Sequence, residues 1–291
     1  METTCLAPEP NTRKPDTVLP PLACDAHCHV FGPVDRFPYA EGRSYTPPEA
    51  TVDDFRRLQS VLGLERAVIV QATCHGTDNS AMLDAIATSG GRYRGVAMVD
   101  ESFTQVDYQK LHDGGVRGAR FSFARHLSGP PDFGPISRMA DIMAGFGWHI
   151  VLYLEAEDVV ANADALRALP LPIVIDHMAR VRPEEGVEQE AFQLLLGFLE
   201  DEKFWLKISG AERLSDMNPT YDDVVPFAQA LIKAAPDRII WGTDWPHPNM
   251  VKTMPNDGDL VDLLARYAVD ADMLKRILVD NPARLYGFDD A

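Results

Sequence analysis

No stretch of this 291-residue chain is apolar over the roughly 20 residues that a membrane-spanning helix requires. Cysteine is scarce too. Cys5, Cys24, Cys28 and Cys74 are all there is, without a CxxC pair, so a disulfide framework is not expected and the four read as reduced thiols. Basic residues are outnumbered, 27 Lys and Arg against 44 Asp and Glu for a net charge of −17. That balance argues against a nucleic-acid partner, which needs a basic surface. The first 23 residues lack a basic start leading into an apolar core, so no secretory leader is expected and the default address is cytoplasmic. No internal repeat, low-complexity tract or GxGxxG loop is found. What is present is the mixture of a globular enzyme or binding domain: 46% hydrophobic and 24% charged residues. The acidic surplus would repel a small anion, so a site for one must carry its own local cluster of arginines.

Residues 1–20, rich in Pro, Thr and charge, read as an irregular N-terminal arm, and residues 21–291 as one domain. Eight short apolar runs follow one another at 24–31, 67–72, 93–99, 116–123, 148–154, 172–176, 204–208 and 238–242. Their near-continuous hydrophobicity suits parallel strands covered on both faces. Helical stripes separate them, as at Val52, Phe55, Leu58 and Leu62, and in segments 135–146, 188–199, 221–234 and 259–268. Eight strands alternating with helices predict a (β/α)8 TIM barrel, with a doubly wound sheet as the runner-up that lacks its glycine-rich loop.

In such a barrel the working face lies at the C-terminal ends of the strands. Those ends are consistently polar: His27 and His29, then Thr73 and His75, Arg120, Tyr153, Asp176 with His177, Arg213, and Asp244. Period-two geometry puts His27 and His29 on one face and Cys28 on the other, toward the helices. Any one such residue has an ordinary structural explanation, and that reading is preferred for His149, His112 and Arg94. The convergence of seven strand ends on one barrel mouth points to a site.

The motifs DAHCHVFGP, VIVQATCHGTDN, GARFSF, PIVIDHM, WGTDWPHPNM and NPARLYGF resemble the amidohydrolase superfamily and, within it, the 2-pyrone-4,6-dicarboxylate lactonase family. The resemblance extends over nearly the whole chain after the arm. It implies an amidohydrolase-like barrel that opens the lactone ring of a cyclic dicarboxylate in the catabolism of aromatic compounds. Position by position, it implies that Asp244 is the base on water and that His27, His29 and His177 surround the lactone carbonyl. It further implies that Tyr45, Thr73, Arg120, Tyr153, Arg213 and Asn249 contact the substrate. Where the family carries a Lys-Arg pair, this chain has Arg125 and His126, either of which could take over the second carboxylate. The departure bears on the identity of the substrate more than on the reaction.

Metal-dependent relatives use the H-x-H pair and the final Asp as ligands. A single zinc at His27, His29, His177 and Asp244 is therefore one option. The expected site is metal-free, because Arg120 and Tyr153 stand at mid-barrel positions and a guanidinium cannot ligate. A pyrone also expels its ring oxygen as a conjugated enolate, which needs less Lewis-acid help than an alkoxide. In this scheme Arg120 and Arg213 grip the carboxylates while Asp176, Glu155 and Glu212 are supporting groups. A metal-dependent hydrolase of a related lactone, such as a sulfonated muconolactone, a decarboxylase of an aromatic acid, a sugar-lactone isomerase and a non-enzymatic carboxylate-binding barrel are the competing readings.

Overall fold

The computed structural model describes residues 3–124, 131–251 and 253–289. Eight parallel strands line up in chain order: β1 (Cys24–Cys28), β2 (Arg66–Val70), β3 (Tyr93–Ala97), β4 (Val116–Ser122), β5 (His149–Tyr153), β6 (Ile173–Ile175), β7 (Phe204–Lys207) and β8 (Ile239–Ile240). Helices such as Val52–Leu62, Ser80–Ala87, Gly134–Gly145 and Glu190–Phe198 lie between successive strands. The helix Val52–Leu62 starts at a reciprocal Thr51–Asp54 capping box and stops at Gly63 in the left-handed conformation. This is the (β/α)8 architecture that the alternating pattern predicts. No helix among the described residues is long and apolar enough to cross a membrane.

Every strand is shorter than its apolar run, and β8, against the run at 238–242, is cut back furthest relative to its length because of the way the barrel closes. β8 has only two ladder residues, and the seam between it and β1 is made by Ala26 N donating to Trp241 O (2.9 Å) and Asp244 N donating to His27 O (2.7 Å). The buried Asp25 carboxylate completes the seam by accepting from Thr243 Oγ1 (2.6 Å), Thr243 N (3.0 Å) and His27 N (3.0 Å). Gly242 makes this possible. A Cβ there would lie 2.3 Å from the His27 nitrogen, so any side chain would force the two strands apart.

A register shift between Asp25 and Cys28 in β1 re-aims the strand. Cys24 and Ala26 belong to the apolar filling of the barrel, whereas Cys28 packs in the layer between sheet and helices. The bulge thus changes the inward phase from Ala26 to His27 and His29. Below them, Val68, Val70, Val96, Val151, Val174 and Ile240 fill the lumen, and Tyr286 and Phe288 close its floor. Each buried aliphatic chain contributes about 1.5–3 kcal/mol. That foundation offsets the charged layer above it, where each buried ion costs several kcal/mol before it is paired.

The arm, though irregular, is docked. Thr3–Thr4 pairs with Tyr45–Thr46, Leu6 N donates to Met250 O (3.0 Å), and Arg13 bonds Asp259 and Asp262.

Candidate active site

Asp244 sits just past β8 with a left-handed backbone (φ +64°), set by the seam hydrogen bond to His27 O. Its Oδ1 is 3.2 Å from His29 Nε2, 3.5 Å from His27 Nε2 and 3.8 Å from His177 Nε2, while Oδ2 accepts from Arg213 Nε. Burial works against its ionisation, but Arg213, His177 and His29 together outweigh it and hold the carboxyl well below the usual range. A carboxylate ringed by imidazoles at the mouth of the barrel can accept a proton and pass it on.

The histidines are not equivalent. His29 Nδ1 donates to Val70 O at 2.7 Å, which turns its Nε2 toward Asp244 Oδ1 at 3.2 Å; burial lowers the pKa of this ring. His27 has the opposite polarity. Its Nδ1 lies 2.9 Å from Lys207 Nζ, an ammonium that can only donate, so the ring proton is on Nε2. That N–H is buried without a hydrogen-bond partner among the described residues, as expected of a donor reserved for something that enters the site. Burial and the Lys207 charge keep the ring neutral, well below the ordinary histidine pKa. His177 Nδ1 contacts Ser209 Oγ (3.0 Å), and burial lowers its pKa to about 4 against the pull of Asp244.

His177 is delivered by an unusual piece of backbone. His177, Met178, Ala179 and Arg180 all have φ between +48° and +52°, a left-handed turn costing roughly 1–2 kcal/mol per residue. Strain of this kind persists where surrounding contacts fix it. Gly210 is part of that support: a Cβ there would come within 2.9 Å of the His177 ring.

The inner pocket is lined by His29, Tyr45, Thr73, Arg120, Tyr153, His177, Arg213, Asp244, Pro248 and Asn249. Its ≈ 20 Å³ suffices for about one water. Arg213 and Asn249 also border an outer vestibule of ≈ 520 Å³ that includes Arg180. Arg120 spends Nε on Asp176 (3.0 Å) and stacks over Tyr153 (4.9 Å); its terminal nitrogens make no other hydrogen bond among the described residues. Arg213 differs from expectation. Its Nε is on Asp244 and both terminal nitrogens are on Pro248 O at 3.1 Å, so a substrate carboxylate reaches this fork only by exchange. Arg125 and His126 lie outside the described residues.

Several polar groups fall elsewhere. His75 contacts Pro38 O (3.3 Å) among Phe31 and Tyr39, His149 packs on Tyr286 in the barrel, His112 accepts from Trp148 Nε1, and Arg94 reaches Gly287 O at the floor. Glu212 and Asp257 clasp the buried His247 behind the site (3.3 and 3.1 Å). Asp176 is a clamp between Arg120 and Lys207 Nζ (3.0 Å each). Sequence reasoning missed Lys207, Ser209 and Arg180. Lys207 had a signal: a lysine with Phe204 and Leu206 before it and Ile208 after it, at an inward strand position, must be buried and therefore paired.

His27, His177 and Asp244 each bring a ligand atom within 4.8 Å of the others, the set a divalent cation would use. Their chemistry does not fit one. The His27 Nε2 carries a proton in place of a lone pair, the second Asp244 oxygen is held by Arg213, and Arg120 adds a further positive charge to the pocket wall.

The family model described as Amidohydrolase matches residues 24–288. A 2-pyrone-4,6-dicarboxylate hydrolase of Comamonas testosteroni is 47% identical over 288 residues, 95% of this chain and 93% of the relative. A 4-sulfomuconolactone hydrolase of Hydrogenophaga intermedia is 40% identical over 286 residues, 97% of this chain and 94% of the relative. An apo crystal structure of an Agrobacterium tumefaciens protein superposes with a TM-score of 0.84 at 26% identity, covering 95% of this chain and 100% of that one.

Proposed function

Because the chain belongs to the amidohydrolase family, we propose that it is a lactone hydrolase of aromatic catabolism, opening the ring of a small anionic lactone such as 2-pyrone-4,6-dicarboxylate. The observation that carries this reading is the Asp244 carboxylate, within 3.2–3.8 Å of three imidazole nitrogens, in a pocket whose walls include Arg120 and Arg213.

A carboxylate of the substrate enters against the terminal nitrogens of Arg120, and a second displaces Asp244 from Arg213. The exchange fixes the ring and removes from Asp244 the charge that most depresses its basicity. The lactone carbonyl then faces the His27 Nε2–H and His177. Asp244, supported by His29, takes a proton from water as the water oxygen adds to the carbonyl carbon. The developing oxyanion is met by the imidazole donors, already aimed and desolvated. When the ring C–O bond breaks, the ring oxygen leaves as a conjugated enolate and receives the proton Asp244 holds. The products are a new carboxylic acid, ionised at neutral pH, and an enol. The reaction is metal-independent in this reading, because the donors present are arranged to hold protons.

The second anion can be carboxylate or sulfonate, since a guanidinium fork serves both. Ultraviolet assays of a small panel of pyrone dicarboxylates, muconolactones and a sulfomuconolactone test the proposal. Turnover of at least one dianionic lactone, with neutral lactones left intact, is the expected result; failure on the whole panel would remove it.

A further inference from the structure

Lys207 is fully buried, at the end of β7, and has no place in the catalytic scheme above. A buried lysine is costly, and burial alone pushes its pKa below the usual value. It is retained here between two groups: Asp176 Oδ1 at 3.0 Å and His27 Nδ1 at 2.9 Å. Asp176 Oδ1 is also 3.3 Å from His27 Nδ1, the longer of the two contacts that this nitrogen makes. The nitrogen is aimed at the lysine.

The arrangement is informative because of what it interrupts. A histidine that ligates a metal normally donates its other ring N–H to a carboxylate or carbonyl, leaving a lone pair for the ion. Asp176 stands where it could play that part for His27. Lys207 occupies the interval, and its ammonium makes Nδ1 an acceptor, so the proton moves to Nε2. His29, on the same inward face, has Nδ1 bonded to the Val70 carbonyl and hence the opposite polarity. The two histidines of one H-x-H motif are thereby split between a proton acceptor and a proton donor.

We propose that Lys207 is a positioning residue that fixes the tautomer of His27, making it a hydrogen-bond donor to the oxyanion instead of a metal ligand. The role of that donor rests on the lactone-hydrolase reading; the tautomer does not. Removing Lys207 leaves Asp176 free to accept from His27 Nδ1; the single ring proton then sits on Nδ1, and Nε2 regains the lone pair that a cation would take.

The experiment is nitrogen-15 NMR of the full chain with isotopically labelled histidine, the His27 signals being assigned by their loss in His27→Gln. In the wild type, His27 Nδ1 should appear unprotonated and Nε2 protonated; in Lys207→Met, Nδ1 should become protonated. Titration with zinc chloride should show binding at least tenfold tighter in Lys207→Met than in the wild type. A wild-type His27 protonated at Nδ1 overturns the proposal, and that measurement stands even if the variant does not fold. Unchanged Nδ1 protonation or unchanged zinc affinity in a folded variant overturns it as well. If the NMR result holds while no lactone is hydrolysed by the wild type, the function reading fails and the Lys207 assignment survives. Lactone hydrolysis by a wild type with Nδ1–H does the reverse.

Discussion

Replacing Arg213 with methionine separates two jobs that the structure gives to one side chain. In the free protein its Nε pairs with Asp244 and its terminal nitrogens hold Pro248 O; in the proposed complex it holds a substrate anion. Losing one partner of a desolvated ion pair costs about 2–5 kcal/mol, and each 1.4 kcal/mol is about a factor of ten. A KM increase on the order of 30- to 3,000-fold for a dianionic lactone follows. The pH profile carries the second signature. Arg213 is the strongest influence holding Asp244 below the ordinary carboxylate range, so its removal raises that pKa and moves the acidic limb of kcat/KM, which reports the free enzyme, to higher pH. The acidic limb of kcat should move less, because in the complex the substrate has already drawn the guanidinium away from Asp244. Initial rates by ultraviolet absorbance from pH 4 to 9, with folding checked by circular dichroism, provide all three quantities. An unchanged KM together with an unmoved kcat/KM limb would refute the reasoning.

Burial opposes protonation of His247, but Asp257 and Glu212 outweigh it and raise its pKa to about 10, against about 6.5 unfolded. The resulting stabilisation is fully present below about pH 6.5 and is lost as pH rises through 10, so urea unfolding at pH 7 and 10 should show a loss that His247→Gln lacks; equal losses in both proteins would contradict it. Gly242→Ala, which would place a Cβ 2.3 Å from the His27 nitrogen, should destabilise by about 1–3 kcal/mol or more, lower Tm and reduce kcat by displacing His27; a variant with wild-type Tm would show that the seam can yield. Prolonged chelation should leave kcat unchanged. Lost activity that zinc restores would overturn the assignment of His27 as a proton donor.

Much of this was legible in the sequence because it depends on period and punctuation. The eight apolar runs and intervening stripes gave the barrel, and the polar residues ending seven of those runs marked the mouth where His29, Thr73, Arg120, Tyr153, His177, Arg213 and Asp244 line one pocket. What stayed hidden depends on contacts between residues far apart in the chain. The bulge at Asp25 to Cys28 and the seam through Thr243 follow from how β1 and β8 meet, and the pairing of Arg213 with Asp244 from how the loops after β7 and β8 meet; no local pattern encodes either meeting. Likewise Lys207 and His27 are 180 residues apart, and only their shared position inside the barrel makes one decide the proton of the other.

The central claim is that Asp244 takes the proton from water. Asp244→Asn keeps the shape of the side chain and can still accept a hydrogen bond, but an amide cannot act as that base. The kcat of the folded variant, measured with a lactone that the wild type hydrolyses and with KM recorded alongside, is the direct test. A loss of about 10²–10⁴-fold in kcat with KM little changed is the predicted result; a kcat near the wild-type value would contradict the account and transfer the role to His29 or His177.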